Sequence, residues 1–513
     1  MASVLHARIT FTELVNAAFA GAHIGLPVMV GLVGVRTVIE KKFQAAIISL
    51  RNKLSKKTRH QLGSLLVLYQ EQLSVLNGIV NSKNPLEAWA AEARFHTQCD
   101  GTLKCKIDEF VETIGDDFPS HRMLVVTSLT RIARRAYMKA LHSGHPLLFA
   151  GPAGTGKTET AKDITFMLGR EAIVFNCNDI MTPDDVAAAL AKIPKDTRAP
   201  LIFDEFNRIA TKVQKEIVAR IEKERPGQFV IVTADPGYAG RSPIELPGLQ
   251  TVPFTKPDFS IIAEAMLGFE GISNCAVLGK SLINCIQDCR TGCTKQDWYD
   301  FGLRAIKSII TLAGAIARDN GYTDEASAVR QAVGCSLYFR ATAKDKAVVA
   351  AAVKRAFGVP LNIADKFTGP GGIAEQIVAV SQVRHAVCIV GATDPKALMA
   401  EVASLSGAET AVVNVATKNT LSSAEGALFK HMQAAGKKNS PVWVFLILPP
   451  AAEQWPAPLQ PLHTLFDDNK KMYFDNGQVV SMTANQRFFV VTEDCSQFSP
   501  AGVSRMGVVN NVA

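Results

Sequence analysis

The sequence predicts an α/β fold: a mostly parallel sheet flanked by helices, followed by a helical stretch and a second α/β unit. Short apolar runs alternate with helical stretches from about residue 124, at 146–150, 172–176, 201–203 and 229–233. Residues 256–355 carry helical spacing without a strong strand. A second alternation begins near residue 384, with strand-like runs at 385–390, 442–448 and 488–492. The pattern indicates a distant internal repeat.

A glycine-rich loop follows the first of these strands. Residues 151–158 read G-P-A-G-T-G-K-T and open into a helical stretch. In such a loop the backbone N–H groups and the helix N-terminus surround phosphates. Lys157 then reaches the β/γ oxygens, and the Thr158 hydroxyl ligates Mg²⁺. The residues assigned to ATP binding here are Gly151, Pro152, Ala153, Gly154, Thr155, Gly156, Lys157, Thr158 and Glu159.

A short apolar strand ends in two carboxylates, Asp204 and Glu205. Such a run also occurs where a strand simply enters an exposed acidic loop. Downstream of a phosphate-binding loop, however, it predicts that Asp204 holds Mg²⁺ through water and that Glu205 polarises the attacking water. The two motifs together predict an ATP hydrolase.

The composition is that of a globular chain. It has 513 residues, of which 55 are basic and 47 acidic, giving a net charge of +8. Its basic stretches lack the interleaved aromatic residues of a nucleic-acid surface, so no nucleic-acid partner is predicted. Ten cysteines without close pairs indicate a reducing compartment. Cys285, Cys289 and Cys293 recur every fourth residue, as on a packed helix face rather than a metal site.

The N-terminal segment, 1–40, leaves two interpretations open. No side chain is charged from Leu14 to Val35, which is long enough for a membrane span. Asn16, His23 and Pro27 dilute the run, which favours a buried or poorly ordered segment. Residues 41–120 are expected to form a helical, linker-like region, because leucines recur at helical spacing between residues 50 and 76.

Longer motifs resemble one family. The stretches GPAGTGKTETAKDITFMLGR at 151–170, FDEFNRI at 203–209, DPGYAGR at 235–241 and YDFGLRAIKSI at 299–309 resemble the first AAA+ module of dynein heavy chains. The segments 465–483 and 499–507 resemble the second module. The resemblance implies a first large subdomain at 121–270, a helical small subdomain or lid at 271–358, and a second, degenerate large subdomain at 359–513.

The resemblance also implies roles for single residues. The loop 124–130, with Val126 and Leu129, is similar to the family's loop beneath adenine, although Ser128 stands where the family prefers proline. Arg304 corresponds to the sensor arginine of the lid, and Arg505 to the arginine finger that the second module offers to the first site.

Two departures from the family pattern bear on activity. Asp235 replaces the family's sensor asparagine, and its charge would repel the γ-phosphate unless it is protonated or turned onto a cation. In the second module, Asp394 and Pro395 replace loop residues whose N–H groups bind phosphate, and apolar residues replace the acidic pair. The second module is therefore expected to close the first site without binding its own nucleotide. The chain is also expected to have no microtubule-binding domain of its own.

Three functions compete. The first is a dynein-like ATPase unit that binds ATP, ADP and Mg²⁺ and works with other dynein chains in the cytoplasm or at the cytoskeleton, ciliary or not. The second is a nucleotide-binding structural or regulatory protein with little or no hydrolysis. The third, a membrane-tethered AAA+ remodeller anchored by 14–35, ranks last.

Overall fold

The computed structural model describes residues 2–21, 27–117, 123–152, 155–177, 181–191, 193–194, 198–236, 242–296, 298–361, 372–391, 394–436, 438, 440–450, 453–454, 458–466, 470–498, 500–503 and 505–510. The chain divides into two compact units, Met1–Ala265 and Met266–Ala513. Each unit contains one five-stranded parallel sheet. The predicted α/β fold with parallel sheets between helices is thereby confirmed.

The first unit begins with helices and a small antiparallel sheet. Its first helices are α1 (Ala2–Ala20), α2 (Val28–Leu50), α3 (Lys56–Val80) and α4 (Pro85–Ala90). The antiparallel strands are β1 (Arg94–Thr97), β2 (Leu103–Ile107) and β3 (Phe110–Thr113). These strands were expected to be part of a helical region, and that expectation is wrong for residues 94–113, where alternating burial favours strands.

The α/β part of the first unit follows. Its elements are α5 (Ser128–Ser143), β4 (Leu147–Ala150), α6 (Lys157–Met167), β5 (Ile173–Asn176), α7 (Pro183–Leu190), β6 (Leu201–Asp204), α8 (Thr211–Glu224), β7 (Val230–Ala234) and β8 (Gln250–Pro253). The strand order is β5-β6-β7-β4-β8, and all pairs are parallel. Helices α5 and α6 pack on one face of the sheet, and α7 and α8 on the other. The boundary between the units falls within α9 (Phe259–Phe269).

The second unit begins with a helical segment and continues with an α/β part. The helices are α10 (Cys275–Gly292), α11 (Leu303–Asp319), α12 (Glu325–Val333) and α13 (Ala343–Phe357). The α/β part comprises α14 (Gly372–Val383), β9 (Ala386–Val390), α15 (Pro395–Ser406), β10 (Glu409–Asn414), α16 (Lys418–Ser422), α17 (Ala427–Ala435), β11 (Val442–Ile447), α18 (His463–Phe466), β12 (Lys471–Tyr473), β13 (Val479–Ser481), β14 (Gln486–Thr492), α19 (Pro500–Val503) and β15 (Gly507–Asn510).

The two large sheets have the same topology. The second sheet has the order β10-β11-β14-β9-β15. In both sheets the strands, counted along the chain, lie in the order second, third, fourth, first, fifth. Within this frame β9 corresponds to β4, β11 to β6 and β14 to β7. The shared order supports the internal repeat that the sequence predicts.

The N-terminal apolar segment packs against other helices of its own unit. Val15 of α1, Leu32 and Val35 of α2 and Leu76 of α3 lie in one buried cluster. Residues 22–26 of this segment lie outside the described residues. Within the described ranges, none of the helices combines the length and the apolarity that a membrane crossing needs.

Candidate nucleotide-binding site

The phosphate-binding loop joins β4 to α6. Gly151 lies against β8, where a Cβ atom would come within 2.1 Å of the Phe254 carbonyl oxygen. Gly156 has φ +83°, a left-handed conformation that glycine adopts without strain, and it directly precedes α6. The close approach at Gly151 and the left-handed backbone at Gly156 therefore explain why each position is occupied by glycine. Ala153 and Gly154 lie outside the described residues, and Glu159 pairs with Lys162 on the surface of α6.

The lysine of the loop is buried and folded onto its own backbone. Its Nζ donates to the carbonyl oxygens of Gly151, at 2.7 Å, and Pro152, at 2.8 Å. Thr155 Oγ1 also donates to the Pro152 oxygen, at 2.8 Å. The Lys157 ammonium thus binds backbone oxygens of its own loop. Phosphate oxygens could replace these backbone oxygens as its partners.

Burial and carboxylate charges act on this ammonium in opposite directions. Burial lowers the pKa of Lys157. Three carboxylates oppose this change, in decreasing order of effect those of Asp235, Asp204 and Glu205. Asp235 is itself 7% exposed. The carboxylate that replaces the family's asparagine therefore acts electrostatically on the Lys157 ammonium.

The two residues assigned to Mg²⁺ are in contact. The Thr158 hydroxyl donates to Oδ1 of Asp204, across the step from α6 to the end of β6. A hydroxyl and a carboxylate oxygen side by side are the hard donors that Mg²⁺ takes, usually together with waters and nucleotide phosphates. The donor set fits the ion.

Glu205 follows Asp204 in a bend. Its φ of 54° and ψ of 47° are left-handed, which is uncommon for a residue with a side chain. It precedes a 3₁₀ turn, Phe206–Arg208. The Arg208 guanidinium pairs with the Glu205 carboxylate. The bend follows the end of β6 and places Glu205 directly after Asp204.

Three residues that contact this site were not predicted from the sequence. Thr233, the fourth of the five residues of β7, bonds to Asp204 and Glu205. Asn207 donates from Nδ2 to the Asp235 carbonyl oxygen at 2.9 Å, and Arg208 pairs with Glu205. The one available signal was a polar residue, Thr233, inside an otherwise apolar strand.

The segment assigned to adenine lies against the phosphate-loop helix. The main-chain N–H of Leu124 donates to Asp163 Oδ1 of α6 at 3.0 Å. Val126 is buried, Leu129 is half-buried, and the Thr127 side chain caps α5. Ser128 is the first residue of α5, a position that also suits proline, so the departure from the family pattern is conservative.

The two arginines assigned to catalysis lie in the second unit. Arg304 is exposed in the first turn of α11. Arg505 is half-buried between α19 and β15. Residues 237–241 of the DPGYAGR stretch fall outside the described residues. The assigned roles of these arginines remain predictions.

The corresponding loop of the second sheet carries its own anion. Asp394 Oδ1 accepts hydrogen bonds from the N–H groups of Lys396 and Ala397, both at 3.1 Å, at the start of α15. Ile447 holds the register position of Asp204: Asn414 pairs with Ile447 as Asn176 pairs with Asp204. Lys396 is exposed. A carboxylate at the helix start and an apolar strand end support the expectation that this loop does not bind nucleotide.

The strand order, the phosphate-binding loop and the acidic strand end define a P-loop ATPase-type module of the AAA+ class, followed by a degenerate copy. Residues 118–366 match a family model described as the hydrolytic ATP binding site of the dynein motor region. The chain is similar to the motor region of dynein heavy chains, which confirms the resemblance found in its motifs.

Individual relatives agree. Dynein axonemal heavy chain 1 of Mus musculus is 27% identical over 92% of this chain, and that of Homo sapiens is 28% identical over 90%. The dynein-1-beta heavy chain of the flagellar inner arm I1 complex of Chlamydomonas reinhardtii is 28% identical over 90%. The chain spans 12–13% of the length of these proteins.

Proposed function

We propose that the chain is a dynein-like AAA+ ATPase unit that binds and hydrolyses Mg·ATP at the loop of its first unit. The observation that carries the proposal is the contact of the Thr158 hydroxyl with Asp204, beside the buried ammonium of Lys157. This arrangement joins a phosphate-binding cation to a metal-binding pair within one loop and one strand end.

Each residue of the site has a proposed task. Lys157 exchanges its bonds to backbone oxygens for bonds to phosphate oxygens, and the N-terminus of α6 adds N–H donors. Thr158 and Asp204 hold Mg²⁺, which neutralises developing charge on the phosphates. Glu205 orients water and accepts its proton. Arg304 and Arg505 supply positive charge to the transferring phosphoryl group, as their counterparts do in the family.

The relatives extend the proposal to a cellular setting. Their names place them in axonemal and flagellar dyneins. We infer that this chain associates with the cytoskeleton of a cilium or flagellum, alongside other dynein chains. A cytoplasmic dynein is the other setting that the sequence analysis left open.

ATP turnover by the purified chain tests hydrolysis. Lys157→Ala removes the phosphate cation, and Glu205→Gln keeps the shape of the base but not its charge. We expect both variants to lose at least about a hundredfold in rate. Lys396→Ala, the matching lysine of the second loop, is the control and should retain the wild-type rate. Equal rates in all four chains would exclude hydrolysis at this site.

A second candidate function is nucleotide binding without useful turnover. Two observations favour it: Asp235 acts strongly on Lys157, and Arg208 pairs with the carboxylate of Glu205. Tight nucleotide binding by a chain whose turnover equals that of the Lys157→Ala variant would select this function over the first.

A further inference from the structure

A buried hydroxyl stands between the two carboxylate residues of the site. Thr233 Oγ1 lies 2.7 Å from Asp204 Oδ1 and 2.9 Å from the main-chain nitrogen of Glu205. The side chain is fully buried. An ionised carboxylate only accepts hydrogen bonds, and an amide N–H only donates. Both directions are therefore fixed: Thr233 donates to Asp204 and accepts from Glu205.

The second of these bonds holds a strained piece of backbone. Glu205 has a left-handed conformation, with φ 54°. Residues with a Cβ persist in this region only where their surroundings hold them there. The Glu205 N–H is bonded to Thr233, and the Glu205 carbonyl oxygen accepts from the Arg208 N–H at 2.9 Å. The bend is thus fixed on both sides, on one side by strand β7.

The first bond fixes the metal ligand. Asp204 Oδ1 accepts from two hydroxyls, those of Thr158 and Thr233. Thr158 is itself assigned to Mg²⁺, so its hydroxyl has two tasks. Thr233 is assigned to neither the ion nor the nucleotide, and its hydroxyl bonds to Asp204 and to the Glu205 N–H.

We propose that Thr233 is a positioning residue: its hydroxyl sets the orientation of the Asp204 carboxylate and the bend that presents Glu205. The inference rests on the proposed function, because those two residues are the proposed metal ligand and base. Thr233 acts through them and does not touch the reacting atoms.

The test uses an isosteric change and a rescue. Thr233→Val keeps the shape of the side chain and removes the hydroxyl, whereas Thr233→Ser keeps the hydroxyl. Thr12→Val is the matched control. Thr12 is also fully buried, donates to the Arg8 carbonyl oxygen at 3.0 Å and accepts from the Phe95 N–H at 3.0 Å, away from the carboxylates.

The first measurement needs no nucleotide. Hydrogen exchange of the segment 203–208 is followed by mass spectrometry in the full chain. An amide that loses its buried acceptor becomes easier to open. We expect exchange in this segment to be roughly tenfold faster in Thr233→Val and near wild type in Thr233→Ser and Thr12→Val. Wild-type exchange in Thr233→Val would overturn the proposal.

The second measurement is the gain in affinity for a fluorescent ATP analogue on adding Mg²⁺. We expect Thr233→Val to reduce this gain about tenfold and to leave the Mg²⁺-free affinity within about twofold. A general loss of structure would lower both. Failure of Thr233→Ser to restore the gain would also overturn the proposal. If Thr233→Val does not fold, Thr233→Ala carries the same tests.

The two proposals fail separately. A wild-type chain that does not hydrolyse ATP, while Thr233→Val still accelerates exchange and weakens the Mg²⁺ effect, refutes hydrolysis and keeps the positioning role. If the wild-type chain hydrolyses ATP and Thr233→Val changes neither the exchange nor the Mg²⁺ effect, hydrolysis is retained and the positioning role is refuted.

Discussion

Asp394 Oδ1 accepts a hydrogen bond from the main-chain N–H of Lys396 at 3.1 Å, at the start of the first helix after β9. In the first sheet the same position belongs to the phosphate-binding loop. In the second loop, the Asp394 carboxylate accepts the hydrogen bonds of the helix N-terminus. This anion is part of the chain, whereas the first loop is proposed to bind the phosphates of a nucleotide.

This contact makes Asp394 a stability residue rather than a nucleotide ligand. We expect Asp394→Ala to lower the free energy of unfolding of the second unit by about 1 kcal/mol, the usual effect of removing a helix N-cap. ATP affinity should not change. Urea denaturation and equilibrium nucleotide binding measure the two effects. Weaker ATP binding in Asp394→Ala would show that the second loop takes part in the site.

Replacing Asp235 by asparagine should increase ATP binding relative to ADP. The carboxylate acts on Lys157 more strongly than any other charge and competes with the γ-phosphate for it. At contact distances near a protein surface, one such charge is worth a few kcal/mol before screening. We expect the ratio of ADP to ATP dissociation constants to rise roughly tenfold, and turnover with it. Asp184→Asn, at an exposed carboxylate, is the control. An unchanged ratio would remove Asp235 as the restraint on this site.

A buried ionic network links the N-terminal helices to the phosphate-loop helix. Arg134 of α5 pairs with Glu71 of α3 and, at 3.7 Å, with Asp163 of α6. Arg8 of α1 lies 3.9 Å from Glu71. All four side chains are at most 10% exposed. Removing one member leaves buried charges without a partner.

We therefore expect Arg134→Ala to destabilise the first unit by about 3–5 kcal/mol. Arg135→Ala, at the neighbouring residue whose exposed pair with Asp108 spans 2.9 Å, should cost at most about 1 kcal/mol. Chemical denaturation compares them. If Arg134→Ala does not fold, a single change of Glu71→Gln carries the test. Equal losses at the two arginines would contradict a buried network.

The network also gives a pH dependence of known sign. Burial raises the pKa of Glu71, but the charges of Arg134 and Arg8 outweigh it, and the net pKa is lowered. A carboxyl group with a lowered pKa contributes stability above its ordinary pKa, and this contribution is lost as the pH falls. Burial raises the pKa of Asp163. The contribution of Asp163 to stability therefore increases as the pH falls. In Glu71→Gln, the free energy of unfolding of the first unit should therefore fall less steeply with decreasing pH than in the wild type.

His385 should make the second unit sensitive to mild acid. Burial lowers its pKa to about 4, and its Nε2 donates to the Leu465 carbonyl oxygen at 3.0 Å. The unfolded chain takes up this proton near pH 6.5, whereas the folded chain does not. The contribution of neutral, buried His385 to the free energy of unfolding is therefore fully present above pH 6.5. It falls by up to about 3 kcal/mol as the pH approaches 4.

Unfolding by urea between pH 7.5 and 5 measures this slope. His385→Gln removes the titrating group and should flatten the slope of the second unit. His6→Gln, at an exposed histidine of the first unit, should not. A slope that persists in His385→Gln would assign the acid sensitivity to other groups.

Local patterns predicted much of this fold. Apolar runs located β4, β6 and β7 within a residue or two, because strands buried on both faces of a parallel sheet are apolar throughout. The loop residues Lys157 and Thr158 and the acidic residue Asp204 were found because their chemistry requires fixed spacing. The edge strands β8, β10 and β15 were not predicted. Exposed positions weaken the apolar signal in β8 and β10, and β15, although buried, has only four residues.

The remaining parts depend on contacts between distant residues. Thr233 is 28 residues from Glu205, and its hydroxyl becomes informative only when β7 lies beside β6. The network around Arg134 joins residues up to 63 positions apart. Spacing along the chain carries no signal for such pairs. The sheet at 94–113 was missed because its strands are short and it follows a long helical stretch.

The amount of ATP held by the Glu205→Gln chain tests the central proposal most directly. Without its base, the site should bind Mg·ATP and keep it intact. After equilibration and rapid removal of free nucleotide, we expect about one unhydrolysed ATP per chain, none in Lys157→Ala, and ADP in the wild type. Retention of ATP by Lys157→Ala, or of ADP by Glu205→Gln, would contradict a single hydrolytic site at this loop.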